Sequence, residues 1–340
     1  MIGLLAELGV EHALVQAGMG GGIAGHELAA AVSGAGGLGT LGHAAPGALR
    51  RELLAARRCT DRPLAVNLLL PFTRAGHWEA AAEADLVVTF WGRPQRRVAR
   101  PWLHQCGSVE EALAAQRAGA DGVIVQGVEA GGHVRGRLSR DELLERVRGS
   151  LPASFPVLAA GGLADAADVA HVLAAGGDAA VLGTRFLLTE ESGAHPGYRR
   201  RVLAARRTLV TELFGFGWPG PHRVVPNAAT ERWLKGDEAR VPAWLHAVNR
   251  LTAPLVSRMP GSAHSFPVRL QRPGVPLLSP LAADRHVPER MLDALPLYAG
   301  ESALRIDEVM PAAAVTRMLA KDEPRPSSPA ATRPPPIRER

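Results

Sequence analysis

Short apolar runs recur along the first 182 residues of the chain, at 13–17, 38–41, 64–70, 86–90, 102–106, 122–125, 157–160 and 179–182. They are rich in Val, Leu, Ile and Ala, and few of them alternate polar with apolar positions. A run without alternation suits a strand buried on both faces, as in a parallel sheet. Between the runs the pattern lengthens to a helical period, which predicts helices over 26–33, 46–58, 108–117, 139–147 and 165–175. Their ends carry local chemistry. Pro46 opens a first turn, where a missing N–H is no loss. Ser108 and Ser139 each stand three residues before a glutamate, Glu111 and Glu142, the sequence form of a capping box. Gly176-Gly177 stops the helix over 165–175.

Eight strand–helix units of about 24 residues each are the arithmetic of a (β/α)8 TIM barrel. A doubly wound open sheet is the rival. It usually has fewer strands and carries its nucleotide fingerprint after the first of them. Here Gly18-Met19-Gly20-Gly21-Gly22 begins such a fingerprint, but Ile23 stands where its last small residue belongs. The fourth unit is short, because only 92–101 separate strands four and five, room for one helical turn or none. After strand eight the pattern predicts a helix over 196–207. A stretch over 214–296 follows, rich in Pro, Gly, Trp and Arg, with one clear helix near 242–251. A segment of that length reads as a lid or binding segment. A last helix is expected over 311–320, and 321–340, with six prolines and no apolar pattern, reads as a disordered tail. The expected organisation is a barrel over 1–213, an inserted lid over 214–296, a closing segment over 297–320 and the tail.

Composition narrows the class. The chain is 46% hydrophobic and 21% charged, enough apolar residue for a sizeable core. Its net charge is +6, but only Lys235 and Lys321 are lysines among 39 basic residues. So strong an arginine skew, beside so much alanine, reads as genome composition. The tail holds five basic and three acidic residues, which leaves +4 for the body. No basic–aromatic interleaving of the nucleic-acid kind appears, so no nucleic-acid partner is expected. No run of about 18 apolar residues predicts a membrane span, and the N-terminus lacks the basic start of a signal peptide. Two cysteines, Cys59 and Cys106, make no disulfide framework, and CxxC and HExxH spacings are absent. A cytoplasmic location without a bound metal is expected.

Candidate chemistry gathers where strands end. Ala159-Ala160-Gly161-Gly162 and Leu182-Gly183-Thr184-Arg185 follow strands seven and eight, the standard phosphate position of this barrel. Glycines there let N–H groups approach an anion closely. Two tight turns without a ligand would read the same way. After strand six, Glu129-Ala130-Gly131-Gly132-His133 puts a histidine between flexible residues at a catalytic position, able to exchange protons near neutral pH. A solvent-facing loop histidine is the plain alternative, and eleven other histidines are present. Ala17-Gly18-Met19 could lay backbone against a flat ring. Asn67, Gln105 and Gln126 interrupt apolar strands and need partners, either a ligand edge or backbone. Three inward amides at one end of a barrel suit the polar edge of a flavin.

These residues together resemble the nitronate monooxygenase family, also called 2-nitropropane dioxygenase-like. The resemblance is carried by the first glycine loop with Gly25 to Gly39, Asn67 after Ala65-Val66, and the run Gln126 to His133. The Ala-Ala-Gly-Gly run, Gly183 to Ser192, and Leu297-Tyr298-Ala299-Gly300-Glu301-Ser302 extend it over about 5–320. It implies a TIM barrel with non-covalent FMN. Gly161, Gly162, Gly183 and Thr184 would hold the phosphate. Ala17, Gly18, Met19, Asn67, Gln105, Gln126, Gly131 and Gly132 would line the flavin. His133 would serve as base toward a nitroalkane or as hydrogen-bond donor to a nitronate, and Tyr298 would close the substrate pocket. The implied reaction oxidises an alkyl nitronate with O2 to a carbonyl compound and nitrite. Gln105 and Gln126 stand where some members carry Lys and Asp, and the 214–296 stretch is poorly matched, which bears on the substrate. Flavin-dependent enoyl-ACP reductases and NAD(P)H:quinone reductases share the Gly-Gly-His and phosphate loops, and NAD(P)H would join if the chain were one of these. The chain shows no separate dinucleotide motif, which favours the oxygen-using reading. A flavin-binding barrel without turnover is the remaining class.

Overall fold

The computed structural model describes residues 3–234, 240–256, 271–276 and 278–321. Most of the expected tail, 322–340, and parts of the expected lid lie outside them. Eight parallel strands form the barrel: β1 (Leu14–Gln16), β2 (Gly39–Leu41), β3 (Leu64–Leu69), β4 (Leu86–Phe90), β5 (Trp102–Cys106), β6 (Gly122–Gln126), β8 (Val157–Ala160) and β9 (Ala179–Leu182). β7 (Gly132–His133) lies outside the barrel, between β6 and β8 in the chain. Hydrogen-bonded neighbours run from β2 through β3, β4, β5, β6, β8 and β9 to β1. The last seam, between β1 and β2, is held by the parallel bridge Val15 to Leu38. The side chain of Gln16 strengthens it, donating to Thr40 O at 3.1 Å and accepting from Thr40 N at 3.0 Å. All eight strands coincide with the apolar runs to within one or two residues, because burial on both faces leaves a continuous apolar signature.

Period 2 sorts each strand into two faces. Val15, Leu38, Ala65, Leu86, Val88, Leu103, Ile124, Leu158 and Val181 pack together as the barrel interior. Their alternates, among them Leu41, Val66, Val87, Val123 and Val157, pack with the helices. The helices follow their caps. Ser108 Oγ accepts from Glu111 N ahead of α5 (Val109–Arg117), and Ser139 Oγ accepts from Glu142 N ahead of α6 (Arg140–Ser150). Asp165 and Asp168 make a reciprocal box at the start of α7 (Ala166–Ala174). Earlier in the chain come α1 (Leu4–Glu7), α2 (His26–Gly34), α3 (Pro46–Cys59) and α4 (Ala75–Ala81), the last not anticipated from the pattern. No helix joins β4 to β5. Buried Val98, and Arg96 over the Trp102 ring at 5.8 Å, cover the barrel wall there.

The eighth unit is split. α8 (Thr184–Leu187) is one turn long, and the C-terminal helix Ala312–Leu319 packs against α2, α7 and α8, completing the helical ring from the far end of the chain. The chain leaves and returns at one place, where Thr189 bridges Met310 and Arg185 donates to Leu188 O and Glu308 O. The insertion therefore begins near residue 190, earlier than the expected 214. Its first helix, α9 (Pro196–Leu203), stops short of the expected 207. It also contains β10 (Leu209–Thr211), β11 (His222–Val225), α10 (Ala228–Trp233), α11 (Ala243–Val256) and β12 (Leu297–Tyr298). β11 is central in a second, antiparallel sheet. β10 lies on one edge, and on the other β12 pairs with Val224 and Val225 while β7 pairs with His222 and Arg223. The Gly-Gly-His loop of the barrel is thus a strand of the sheet that caps it.

Candidate active site

Continuing the inward alternation to the C-terminal strand ends brings Ala17, Thr40, Asn67, Gln105, Gln126 and Gly183 to the barrel mouth, above an apolar interior. Their states differ. Gln126 is committed, because its amide donates to His133 O at 3.0 Å and accepts from Arg135 N at 3.2 Å, shaping the loop between them. The Asn67 and Gln105 amides make no hydrogen bond with any described residue, and the buried Thr40 hydroxyl has no partner among them either. Gly18 lies against Asn67, leaving no room for a side chain there. Met19 packs between the barrel core and the core of the insertion.

A cradle of donors lies beside them. Gly161 and Gly162 have φ of +123° and +70°, the left-handed side that favours glycine. The backbone N–H groups of Gly161, Gly162, Gly183 and Thr184 donate to no described residue. The buried Thr184 hydroxyl accepts from Gly300 N at 2.9 Å, which leaves its own proton for a ligand. The same bond ties the barrel to the segment after β12. Free N–H groups converging at two strand ends are the chemistry of an anion site.

His133 stands over the mouth in a cage of rings. The Trp218 indole stacks on it at 3.6 Å between centroids, tilted by 13°. Trp91 meets it edge-on at 5.7 Å, His222 lies at 5.3 Å, and Tyr298 at 5.7 Å. His133 Nε2 is fully buried and has no hydrogen-bond partner among the described residues. Burial, then the neighbouring His222, hold the His133 pKa well below the ordinary imidazole value, so the ring is neutral near pH 7. His222 is itself satisfied: Nδ1 donates to Gly220 O at 2.8 Å and Nε2 accepts from Phe214 N at 3.3 Å. Its pKa is lowered to about 4 by burial. The Tyr298 hydroxyl donates to Pro280 O at 2.7 Å, so this ring walls the cage while its hydroxyl is engaged elsewhere. Gly131 sits where the loop touches the Ala299–Gly300 backbone, and Gly132 begins β7.

Ala17, Asn67, Gln105, Gln126 and Gly183 therefore share one end of the barrel with Gly161, Gly162 and Thr184 on the loops after β8 and β9, while Gly132, His133 and Tyr298 lie on the second sheet. Those not anticipated are Trp91, Trp218 and His222. Trp91 has φ of +63°, the only non-glycine in that region among the described residues, and such backbone clusters at functional sites. Trp218 lies in Gly215-Phe216-Gly217-Trp218-Pro219-Gly220, and an aromatic bracketed by glycines in a long loop was the available signal. Among the described residues no group of His, Cys, Asp and Glu is placed to hold a metal, and no helix is long and apolar enough to cross a membrane.

A barrel with an anion cradle and a caged, neutral histidine at its mouth is an enzyme architecture, and comparison with known proteins gives its class. The nitronate monooxygenase family model matches residues 3–102 and 98–314. The chain belongs to the nitronate monooxygenase family, and is an oxidoreductase. It is 31% identical over 268 residues to a nitronate monooxygenase of Paraburkholderia phytofirmans, covering 61% of this chain and 72% of that one. It is 34% identical over 252 residues to (3aS,4S,5R,7aS)-5-hydroxy-7a-methyl-1-oxo-octahydro-1H-indene-4-carboxyl-CoA dehydrogenase of Mycobacterium tuberculosis, covering 68% of each. Among solved structures, FabK from Thermotoga maritima superposes with TM-score 0.73 at 28% identity, covering 93% of this chain and 94% of that one. Nitroalkane oxidase from Streptomyces ansochromogenes does so with TM-score 0.70 at 30% identity, covering 93% and 96%.

Proposed function

We propose that the protein is an FMN-dependent nitronate monooxygenase, which oxidises alkyl nitronates with O2 to a carbonyl compound and nitrite. The observation that carries this reading is the buried, unpartnered Nε2 of a neutral His133 at the barrel mouth. The residues present fit a flavin mononucleotide. The free N–H groups of Gly161, Gly162, Gly183 and Thr184 suit its phosphate, while the unpartnered Asn67 and Gln105 amides and the Thr40 hydroxyl suit the polar edge of its ring. When bound, FMN supplies the acceptor for the electrons of the substrate. The chain supplies the rest. Neutral His133 takes a proton from the carbon beside a nitro group, or donates a hydrogen bond to a nitronate that arrives already ionised. Trp91, Trp218 and Tyr298 exclude water around it. The small-molecule substrate and O2 are the only partners this chemistry requires.

A second reading, an FMN-dependent reductase or dehydrogenase acting on an acyl thioester with NAD(P)H, is favoured by the CoA-ester dehydrogenase relative and by the FabK fold. One experiment separates them. The purified protein is loaded with FMN and mixed anaerobically with propionate-3-nitronate, NADH or NADPH while the visible spectrum is recorded. Bleaching by the nitronate alone is expected. Bleaching by a nicotinamide alone would establish the second reading, and a protein that takes up no FMN would overturn both.

A further inference from the structure

The insertion contributes a polar atom to the site as well as a cover. We propose that Trp218 is a substrate-binding residue, whose indole N–H, together with Nε2 of His133, receives the two oxygens of a planar anion, the nitronate group of the substrate. The assignment of the anion rests on the function proposed above, whereas the donor pair rests on the geometry alone.

Two of the buried side-chain atoms that lack a partner among the described residues are Nε1 of Trp218 and Nε2 of His133. They belong to the two rings of one face-to-face stack, 3.6 Å apart and nearly parallel. Rings stacked at that spacing place the two nitrogens on adjacent layers of one stack. A buried N–H without an acceptor costs about 1–3 kcal/mol, and buried indole N–H groups usually find a partner. If Trp218 served only to cover His133, phenylalanine would do so without that cost. Indole nitrogen donates and never accepts, so the missing partner is an acceptor. The imidazole is neutral and can present a proton at Nε2, so the pair suits a group with two acceptor oxygens.

The indole is held firmly enough to act as a fixed donor. Trp218 N donates to Gly215 O at 3.0 Å, and Gly220 N donates to Trp218 O at 2.9 Å. Phe72 and Trp91 meet the ring edge-on at 5.3 and 5.2 Å. Gly220 passes so close that a Cβ there would lie 2.6 Å from the Trp91 ring.

The test uses FMN-loaded protein labelled with 15N-tryptophan, under anaerobic conditions. Propionate, which carries the same pair of oxygens as a nitronate but does not reduce the flavin, is the probe, and neutral propionamide is the control. One of the six indole N–H signals should move downfield with propionate and be missing from the Trp218→Phe spectrum. Calorimetric affinity for propionate should fall roughly 10- to 100-fold in Trp218→Phe, the range of a hydrogen bond to a charged group, with little change for propionamide. Unmoved indole signals in the wild-type protein at saturating anion would overturn the proposal even if the variant failed to fold. So would wild-type affinity in a folded Trp218→Phe. Propionate that shifts Trp218 in a protein that does not oxidise ethyl nitronate would sustain the donor pair and refute the function proposed above.

Discussion

At the scale of single residues, the state of His133 decides what the site can do. An imidazole with an ordinary pKa near 6.5 loses its base form as the pH falls through that value. Burial and His222 lower the His133 pKa, so its base form persists into more acid solution. The acid limb of kcat/KM for a neutral nitroalkane is therefore expected below pH 6.5, and a limb at or above 6.5 would contradict the assignment. Replacing His133 with alanine should cut kcat/KM for the nitroalkane by roughly 10²- to 10⁴-fold, the contribution of a positioned general base. Steady-state assays with the neutral nitroalkane measure it, and unchanged turnover would remove His133 from the mechanism. Gly220 is a second sensitive position. A methyl group there would meet Trp91 at 2.6 Å and His133 at 3.4 Å. Gly220→Ala should destabilise the fold by about 1–3 kcal/mol through overpacking, read as a lower urea midpoint, and should lower kcat by tilting the cage.

At the scale of elements, the link between barrel and insertion runs through one hydroxyl. Thr184 begins α8 and accepts the Gly300 N–H, so the turn nearest the anion cradle holds the segment after β12 in place. Thr184→Val keeps the shape and leaves that N–H buried without an acceptor. The expected loss is about 1–3 kcal/mol of stability, together with weaker FMN retention on dialysis, and full retention would separate Thr184 from the cradle. Which elements could be read from the sequence follows from how local their causes are. The barrel strands declare themselves because burial on both faces needs no partner to be visible, and the capped helices because Ser108, Ser139 and Asp165 act on residues three positions away. β7 and β12 are two residues each, and only pairing with β11, far away in the chain, makes them strands. The site divides in the same way. Glycine loops and polar breaks in apolar strands pointed to the cradle and the amides, whereas Trp218 and His222 reach His133 only through that second sheet.

At the scale of the whole molecule, buried histidines make stability depend on acid. His104 lies on the outer face of β5, hydrogen-bonded to Thr89 at 2.8 Å, and burial followed by the Arg135 charge lowers its pKa to about 4. His222 is lowered to about 4 as well, and His133 shifts the same way. In the unfolded chain each would titrate near 6.5. Between pH 6.5 and 4 the unfolded state therefore binds protons that the folded state refuses, and stability falls as the pH falls through that window. Above 6.5 these groups are neutral in both states and contribute no slope. Lowering from 6.5 to about 4 is worth roughly 3 kcal/mol for each group, so His104 and His222 together remove on the order of 6 kcal/mol by pH 4, comparable with the whole stability of many domains. Half-buried Asp168 acts in the same direction, since Arg305 and the Ala164 N–H hold its pKa down against the opposing effect of burial. Urea denaturation at pH 8.5, 7.5, 5.5 and 4.5 should show little change between the first two and a steep loss below 6.5. His104→Gln lowers the starting stability by disturbing Thr89, yet should flatten the slope between 6.5 and 4 by about one proton. A slope unchanged in that variant would mean that His104 is protonated in the folded protein, and that its contact with Thr89 survives the charge.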